Sequence, residues 1–285
     1  MIDKVWNIEA SGSDFVKLYK RQASTRDAFW KWNKEVFGQC QDRINRLIQK
    51  IKELQESPPS HANEVAEQAL QLELIEWLLR SEILWCQKSR ELWLELGDKN
   101  SKFFHLSTII QRRNNSIDAI KADDGSWIHY PKQIQELFGN YFVNLFKEED
   151  ISFPDHLEHL ILPCITKDEN KTLKQIPSLN EIKSTLFQMQ DSKSPGPNGF
   201  PVLFYKKLWP TVGNDIIKAV TSFFLRGFMP KEVNNSLIVL IPKITNPTSV
   251  NHFRPISLCN VVYKIISKIL VSKLKPLLDK LISPT

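Results

Sequence analysis

The sequence predicts a mainly α fold with small β-hairpins (α+β), in which a long helical hairpin precedes a smaller mixed region. Three observations lead to this class. Apolar residues recur at helical spacing over most of the 285 residues, two short apolar runs lie late in the chain, and turn residues separate the segments. With 42% hydrophobic residues, the chain is long enough for one large or two medium domains.

The N-terminal third predicts two long helices. The first covers residues 24–56, and Ser57-Pro-Pro-Ser60 ends it because proline cannot continue a helix. The second covers 62–96 and has apolar residues on more than one face, so we expect it to be buried on two sides. The first helix carries a heptad-like seam, formed by Phe37, Cys40, Ile44, Leu47, Ile51 and Leu54. Together they predict an antiparallel hairpin over residues 1–96, with a dimerisation coil as the alternative to plain helix packing.

A second predicted region covers residues 97–150. Gly97 fits a helix end, and the segment "KFFHLSTIIQRR" forms the next helix. The segments "SIDAIK" and "SWIHY" then flank the turn signal Asp123-Asp124-Gly125, which predicts a short hairpin. Pro131 opens a helix that runs through Phe146.

The third predicted region covers residues 151–285, after an irregular candidate linker at 148–165. Thr166 with Glu169, and Ser178 with Glu181, have capping-box spacing, and the second pair opens a helix to about residue 190. Helices are predicted for "PVLFYKKLW" and for "DIIKAVTSFFLRG", which Gly227 ends. The run "SLIVLIPK" predicts a buried strand, "FRPISL" a second strand, and residues 260–281 a final helix.

Composition narrows the functional classes. A net charge of +6 and a pI near 9.0 favour a polyanionic partner without requiring one. The four cysteines lie far apart, which argues against a zinc knuckle or a disulfide framework. The N-terminus has no apolar run, and "SLIVLIP" is too short to cross a bilayer. We therefore expect no membrane partner and an intracellular location, nuclear or cytoplasmic.

The loop "SPGPNGF" is the first candidate site. Gly196 and Gly199 let the backbone come close to a sugar-phosphate chain, and Pro195 and Pro197 stiffen the path on either side. The competing interpretation is a rigid connector between two helices.

Lys243 and Arg254 form the second candidate site, because each lies at the edge of a predicted strand and a hairpin brings them near each other. Lysine as a point charge and arginine as a bidentate fork can together bind a triphosphate. Two solvated surface charges are the alternative.

The helix predicted around residues 102–113 is the third candidate site, because it mixes basic and aromatic residues as nucleic-acid-binding segments do. We assign Phe103 and Phe104 to the core. For Arg112 and Arg113, both nucleic-acid contact and plain solvent exposure stay open.

Asp123 and Asp124 are the nearest paired acids, and we assign them to ordinary turn chemistry rather than to metal binding. The sequence contains no Walker loop, no GxSxG and no HExxH motif. We therefore predict no catalytic residues and no metal ligands in this chain.

Taken together, these segments resemble a known family. "SKSPGPNGFPVLFYKKLWP" and "LIVLIPKITNPTSVNHFRPISLCNVVYKIISKIL" are similar to the first fingers motifs of reverse transcriptases from non-LTR (LINE-type) retrotransposons, especially plant ones. "WLELGDKNSKFFHLSTIIQRRNNSIDAIKADDGSW" resembles the segment that precedes the polymerase core. The resemblance covers about residues 90–285, and it makes 151–285 an incomplete fingers domain. The helical first third resembles the spacer upstream of the polymerase.

The resemblance implies roles by position. Lys243 and Arg254 correspond to triphosphate-binding residues of the incoming nucleotide. The loop Pro195-Gly196-Pro197-Asn198-Gly199 corresponds to a template or primer contact, and Arg112 with Arg113 to a template RNA contact. The implied partners are RNA or an RNA/DNA hybrid and, weakly, a deoxynucleoside triphosphate.

Two departures from the family pattern matter. Asn198 replaces the usual Asp, which removes a charge from the loop. The palm motifs that carry the metal-binding aspartates also lie outside the sequence, so we expect a truncated RNA-directed DNA polymerase that is inactive alone. No cofactor is expected on this chain, although Mg²⁺ is implied for the intact enzyme. A non-enzymatic RNA-binding module of retroelement origin and a helical interaction protein are the alternatives.

Overall fold

The computed structural model describes residues 2–37, 40–89, 101–122, 124–147 and 164–282. The fold is mainly α with two separate antiparallel strand pairs, which confirms the predicted class. The chain divides into two compact units. Unit 1 contains residues 1–25 together with 117–285, and unit 2 contains residues 26–116. The predicted boundaries at 96/97 and 150/151 lie outside the described residues.

The helix predicted over 24–56 is divided in the structure. Helix α1 spans Ile2–Trp6, and helix α2 spans Asp14–Trp32, beginning ten residues before the prediction. A π-helical turn, Asn33–Phe37, follows, and α3 begins at Cys40 and ends at Gln55. A π-helical turn adds a residue to the local repeat, so the heptad seam does not continue upstream of α3 without interruption.

Unit 2 is centred on an antiparallel helical hairpin, as the sequence predicted. Helix α4 spans His61–Ser89 and packs along α3. Polar contacts fix the antiparallel direction, since Arg43 Nη2 lies 2.9 Å from Glu73 Oε1 and Gln55 Nε2 lies 2.7 Å from Glu67 Oε1. Helix α5, Ser101–Asn114, contacts α4 and matches the helix predicted there. Gly97, the predicted helix end, lies outside the described residues.

The expectation that α4 is buried on two sides is wrong for the described chain. Its inner face packs on the α3 seam, where Ile44, Leu47 and Trp77 form a buried cluster. Its opposite face stays in water: Leu72 is 70% exposed and Ile75 60% exposed. The sequence pattern showed correctly that both faces carry apolar residues, but among the described residues the side chains of the outer face remain largely exposed.

In unit 1 the first strand pair and helix α6 follow directly on α5. Strands β1, Ile120–Lys121, and β2, Trp127–Ile128, pair antiparallel as predicted. Asp124 Oδ1 accepts hydrogen bonds from the backbone N–H and hydroxyl of Ser126, which lowers the pKa of Asp124 and is the turn chemistry expected there. Asp123 lies outside the described residues. Helix α6 spans Pro131–Leu145, with the predicted proline in its first turn.

The remaining helices of unit 1 form its main core. Their bounds are α7 Lys167–Lys174, α8 Leu179–Phe187, α9 Val202–Lys207, α10 Trp209–Arg226, α11 Lys231–Asn234, α12 Val261–Leu274 and α13 Leu278–Leu281. The capping box of Thr166 and Glu169 is present at the start of α7, and Ser178 caps α8. Gly227 ends α10 in the left-handed conformation, with φ of 66°. Helices α8, α10 and α12 contact one another.

The N-terminal segment belongs to this core, although the sequence assigned it to the helical spacer. Trp6 is completely buried, and its indole N–H donates to Asp215 Oδ2 at 2.8 Å. Arg21 Nη1 contacts the other carboxylate oxygen of Asp215 at 2.5 Å. Phe15 and Leu18 are also buried. Residues 1–25 are therefore held to α10 by an ionic contact and a hydrogen bond, and they bury three large apolar side chains.

The second strand pair is a two-stranded ribbon. Strand β3 spans Ser236–Pro242, and β4 spans Phe253–Cys259 in antiparallel register. The expectation that β3 is buried is wrong, because Leu237 and Ile238 are each at least half exposed. A two-stranded ribbon gives a strand only one neighbour, and α6 covers only part of one face, near Leu240 and Phe253.

No helix in these described ranges is both long enough and apolar enough to cross a membrane.

Candidate nucleotide and nucleic-acid interface

The register of the ribbon sets the relation between Lys243 and Arg254. Arg254 lies directly opposite Ile241, and the Lys243 backbone N–H donates to His252 O at 2.7 Å just beyond the last paired residues. Alternate residues of a strand share a face, so Lys243 and Arg254 lie on the same face as diagonal neighbours. Diagonal neighbours of this kind lie about 7–8 Å apart, and their Cβ atoms are somewhat closer. Both side chains are exposed.

The connection between β3 and β4 holds Lys243 in place. The Lys243 ammonium donates to Asn251 O at 2.9 Å. Asn251 is itself anchored, because its Oδ1 accepts from the Tyr141 hydroxyl of α6 at 2.5 Å. His252 Nδ1 accepts from the backbone N–H groups of Thr248 and Ser249. Hydrogen bonds therefore hold both Lys243 and the loop beside it in a defined position.

The Pro195–Gly199 loop packs closely on the start of α12. A Cβ added to Gly196 would lie 2.4 Å from Asn260 N and 2.5 Å from Cys259 C. Such distances exclude any side chain, so this glycine serves close contact between two backbone segments rather than contact with a ligand. Gly199 differs, because its φ is +81°, it is exposed, and an added Cβ would meet nothing within 4 Å. The open part of the loop is therefore Pro197 with Gly199.

Asn198 points into the protein and joins a polar cluster. Its Nδ2 donates to Gln22 Oε1 at 3.3 Å and to the Tyr205 hydroxyl at 3.1 Å, and its Oδ1 accepts from Phe200 N at 3.2 Å. Its backbone N–H donates to Asn260 Oδ1. Gln22 Nε2 donates to the same Tyr205 hydroxyl at 3.0 Å, and Tyr205 is fully buried. Burial raises the pKa of Tyr205 well above its usual range, although the hydrogen bond from Asn198 opposes this.

Two lysines donate hydrogen bonds to the segment that precedes the loop. Lys264 of α12 donates to Ser194 O at 2.8 Å. Partial burial lowers the pKa of Lys264, Cys259 opposes this shift, and the nearby Lys193 adds to it. Lys206 of α9 donates to Met189 O and to Asp191 Oδ1, each at 2.6 Å. These bonds hold the segment that leads into the loop, 189–194, against α12 and α9.

The predicted site residues thus fall into three places. Lys243 and Arg254 share one exposed face of the ribbon, and the Pro195–Gly199 loop lies on α12, both within unit 1. Arg112 and Arg113 are exposed in the last turn of α5 and belong to unit 2. In the described part of the chain, no group of three His, Cys, Asp or Glu residues is arranged to hold a metal ion.

Sequence reasoning missed Gln22, Tyr205, Asn260 and Lys264, which position the loop. Gln22 lies in a helix with no unusual pattern, and its partner Asn198 is 176 positions away, so no local signal identified it. Asn260 directly precedes α12 and had the residue type of a helix cap, but its side chain contacts Val233 O and Asn198 N instead.

Comparison with known proteins gives one informative match. No protein-family profile matches the chain. Over 267 residues, or 89% of the chain, the sequence is 28% identical to a Xenopus laevis protein named the transposon TX1 uncharacterized 149 kDa protein. The match covers 20% of that protein, so the chain spans about a fifth of its length. The chain is similar to a transposon protein, which supports its origin from a mobile element.

Proposed function

We propose that this chain is the fingers portion of a retroelement RNA-directed DNA polymerase, which binds a nucleoside triphosphate and contacts the template. The observation that carries the proposal is the placement of Lys243 and Arg254 on one exposed face of the β3–β4 ribbon. The similarity to a transposon protein and the resemblance of the loop and ribbon segments to fingers motifs of LINE-type reverse transcriptases support it.

The ribbon face suits a nucleotide chemically. An ammonium and a guanidinium side by side can share a triphosphate, the first as a point charge and the second through two parallel N–H bonds. Ile241, which lies opposite Arg254, and Ile256 are on the same face and are 39% and 42% exposed. These aliphatic side chains offer apolar contact to a sugar or base beside the bound phosphates.

Only the tip of the loop is open to contact with a nucleic-acid backbone. Pro197 and Gly199 are exposed, and Gly199 leaves room for another chain to approach. We assign template or primer contact to these two residues, while Pro195, Gly196 and Asn198 hold the loop on α12 and α2. Asn198 in place of the family's Asp keeps this anchor, because its amide makes three hydrogen bonds.

The proposal concerns binding rather than phosphoryl transfer. Polymerisation requires two metal ions held by carboxylates, and the resemblance assigns those carboxylates to palm motifs that these 285 residues do not contain. Mg²⁺ therefore belongs to the intact enzyme. The purified 285-residue chain should not extend a primer on an RNA template with Mg²⁺, and incorporation above a mock preparation would contradict this.

Nucleotide binding tests the ribbon directly. Lys243→Ala and Arg254→Ala should each weaken binding of a fluorescent deoxynucleoside triphosphate by roughly 10–100-fold, the value of one charge-assisted hydrogen bond. Lys231→Ala and Arg226→Ala are matched controls, since both residues are exposed in unit 1 and lie in helices outside the β3–β4 ribbon. Equal losses in all four variants would indicate nonspecific charge attraction and contradict the proposal.

Triphosphate binding separates this function from its alternative, a non-enzymatic RNA-binding module, which the exposed Arg112 and Arg113 favour. If the chain is only such a module, RNA affinity should fall on Arg112→Ala/Arg113→Ala substitution and no triphosphate should bind. In both cases RNA affinity should decrease steeply with added salt, because phosphate contacts release counterions.

A further inference from the structure

The connection between β3 and β4 is held by elements that lie more than 100 positions earlier in the chain. The backbone N–H of Lys121 in β1 donates to Thr248 O at 2.7 Å. Val250 and Phe253 are both buried in one cluster with apolar residues of α6. The ring of Phe253 meets that of Phe138 in α6 edge-on, with centroids 5.2 Å apart. The connection is therefore packed on β1 and α6 and does not extend freely from the ribbon.

Asn251 links a side chain of α6 to Lys243. It lies between the two buried residues of the connection and is itself exposed. Its side-chain Oδ1 accepts from the Tyr141 hydroxyl at 2.5 Å, and its backbone O accepts from the Lys243 ammonium at 2.9 Å. The Tyr141 ring packs against the same apolar cluster. Two hydrogen bonds through one residue thus connect a helix of unit 1 to a cation of the candidate nucleotide site.

This link limits the freedom of a side chain that otherwise has four rotatable carbons. An ammonium has three N–H donors, so the bond to Asn251 O leaves two of them for phosphate oxygens. A lysine that is already held in place loses less conformational entropy when a ligand binds. The link therefore favours triphosphate binding without occupying the whole ammonium.

Arg254 provides an internal contrast on the same face of the ribbon. Its side chain is exposed, and among the described residues its guanidinium has no hydrogen-bond or ion-pair partner. A triphosphate would have to order this side chain by itself. Only one of the two cations is thus restrained before the ligand arrives.

We infer that Tyr141 is a positioning residue of the nucleotide site, which through Asn251 holds the Lys243 ammonium where it meets the triphosphate. The inference rests on the proposed function of the ribbon. It adds that α6, from the second predicted region at 97–150, contributes to nucleotide affinity without touching the nucleotide. The physical basis is preorganisation, because the hydroxyl of Tyr141 acts on the ligand only through the position of Lys243.

Binding of a fluorescent deoxynucleoside triphosphate to the full 285-residue chain tests the link. Tyr141→Phe should weaken binding by roughly 3–10-fold, the value of one hydrogen bond. Asn251→Ala keeps the backbone O but removes Oδ1, so it should cause the same loss. The double variant should bind no more weakly than either single variant, because both break one bond. Tyr130→Phe is the matched control, since it removes a hydroxyl from a 72% exposed tyrosine just before α6, and it should bind as the wild type does.

The two cations separate positioning from a general loosening of the fold. In a Lys243→Ala background, Tyr141→Phe should have no further effect, whereas in an Arg254→Ala background its effect should remain undiminished. General loosening would weaken binding in both backgrounds. An unchanged affinity of Tyr141→Phe, or a loss that persists without Lys243, overturns the inference and leaves the proposed function standing. A wild-type chain that binds no triphosphate, or one indifferent to Lys243→Ala, contradicts the proposed function and the inference with it.

Discussion

Asn198 donates a hydrogen bond from Nδ2 to Gln22 Oε1 across 3.3 Å, although the two residues are 176 positions apart in sequence. Gln22 lies in α2, and Asn198 lies in the loop to which the family resemblance assigns template contact. The hydroxyl of Tyr205 accepts from both side chains, so three residues from three segments form one cluster. The shape of the loop therefore depends on the first 25 residues of the chain.

Substitution of Asn198 tests this dependence. Alanine removes both donors and the acceptor, leaving Gln22 Oε1 and Phe200 N without their partner, and should lower the free energy of unfolding by about 2–3 kcal/mol. Aspartate keeps the acceptor, and the Tyr205 hydroxyl and Gln22 amide can turn to donate to it, so it should cost only about 1 kcal/mol. Denaturant titration measures both values. A larger loss for aspartate than for alanine would show that the cluster needs the amide donors.

Tyr205 should make stability depend on pH at the alkaline end. Burial raises the pKa of the folded phenol, so the folded chain keeps a proton that the unfolded chain releases. The unfolded state then binds fewer protons, and stability decreases as pH rises above about 10, the usual tyrosine pKa. The melting temperature of Tyr205→Phe should decrease less steeply above pH 10 than that of the wild type. At neutral pH its free energy of unfolding should be about 1 kcal/mol lower, because the hydroxyl acceptor is lost. Parallel curves for the two proteins would contradict this assignment.

Gly196 and Gly139 form a matched pair for alanine substitution. At Gly196 the new Cβ would collide with the backbone of Cys259 and Asn260, and we expect a loss of about 3 kcal/mol or more as the loop moves away from α12. At Gly139, an exposed helical position with nothing within 4 Å, alanine should stabilise by up to about 1 kcal/mol through helix propensity. Thermal unfolding should shift in opposite directions. A tolerated Gly196→Ala would mean that the close contact is not required.

Glu169 should make stability depend on pH at the acidic end. Its carboxylate bonds to Lys280 and to Thr166, which lowers its pKa to about 2. Because the pKa of Glu169 is lower in the folded chain than in the unfolded chain, the ionised carboxylate stabilises the fold at pH values above about 4.3, the unfolded pKa. This stabilisation is lost as the pH falls towards 2. Glu169→Gln retains an acceptor for the capping box but removes the ion pair. Its melting temperature should lie below the wild-type value at pH 7 and converge on it near pH 2, and a constant difference would argue against the ion pair.

Local patterns were sufficient where neighbouring residues determine structure. The cap at Thr166, the stop at Gly227 and the pairing of β3 with β4 each depend on residue types within a few positions, and each was predicted. Burial was harder, because an apolar run looks the same whether or not another element covers it. For that reason β3 was predicted to be buried and is not, and the outer face of α4 was predicted to be buried although its Leu72 and Ile75 are exposed.

The candidate site was predictable only in its exposed residues. Lysine, arginine and a proline–glycine loop stand out in a sequence, whereas Gln22 and Tyr205 have no local feature that marks them. Their roles arise from contacts over more than 170 positions, which periodicity does not report. For the same reason the first 25 residues were assigned to the helical spacer and not to the core that holds the loop.

The bond between Trp6 and Asp215 has a consequence for synthesis of the chain. Unit 2 lies between the two parts of unit 1 in sequence, so the first 25 residues leave the ribosome long before their partners. At 5–20 residues per second, the delay is roughly 10–40 s. During this time the local contacts of the helical hairpin can form, while Trp6, Phe15 and Leu18 have no core to enter. The apolar side chains of residues 1–25 therefore stay without their core until the polypeptide beyond Asp215 has emerged.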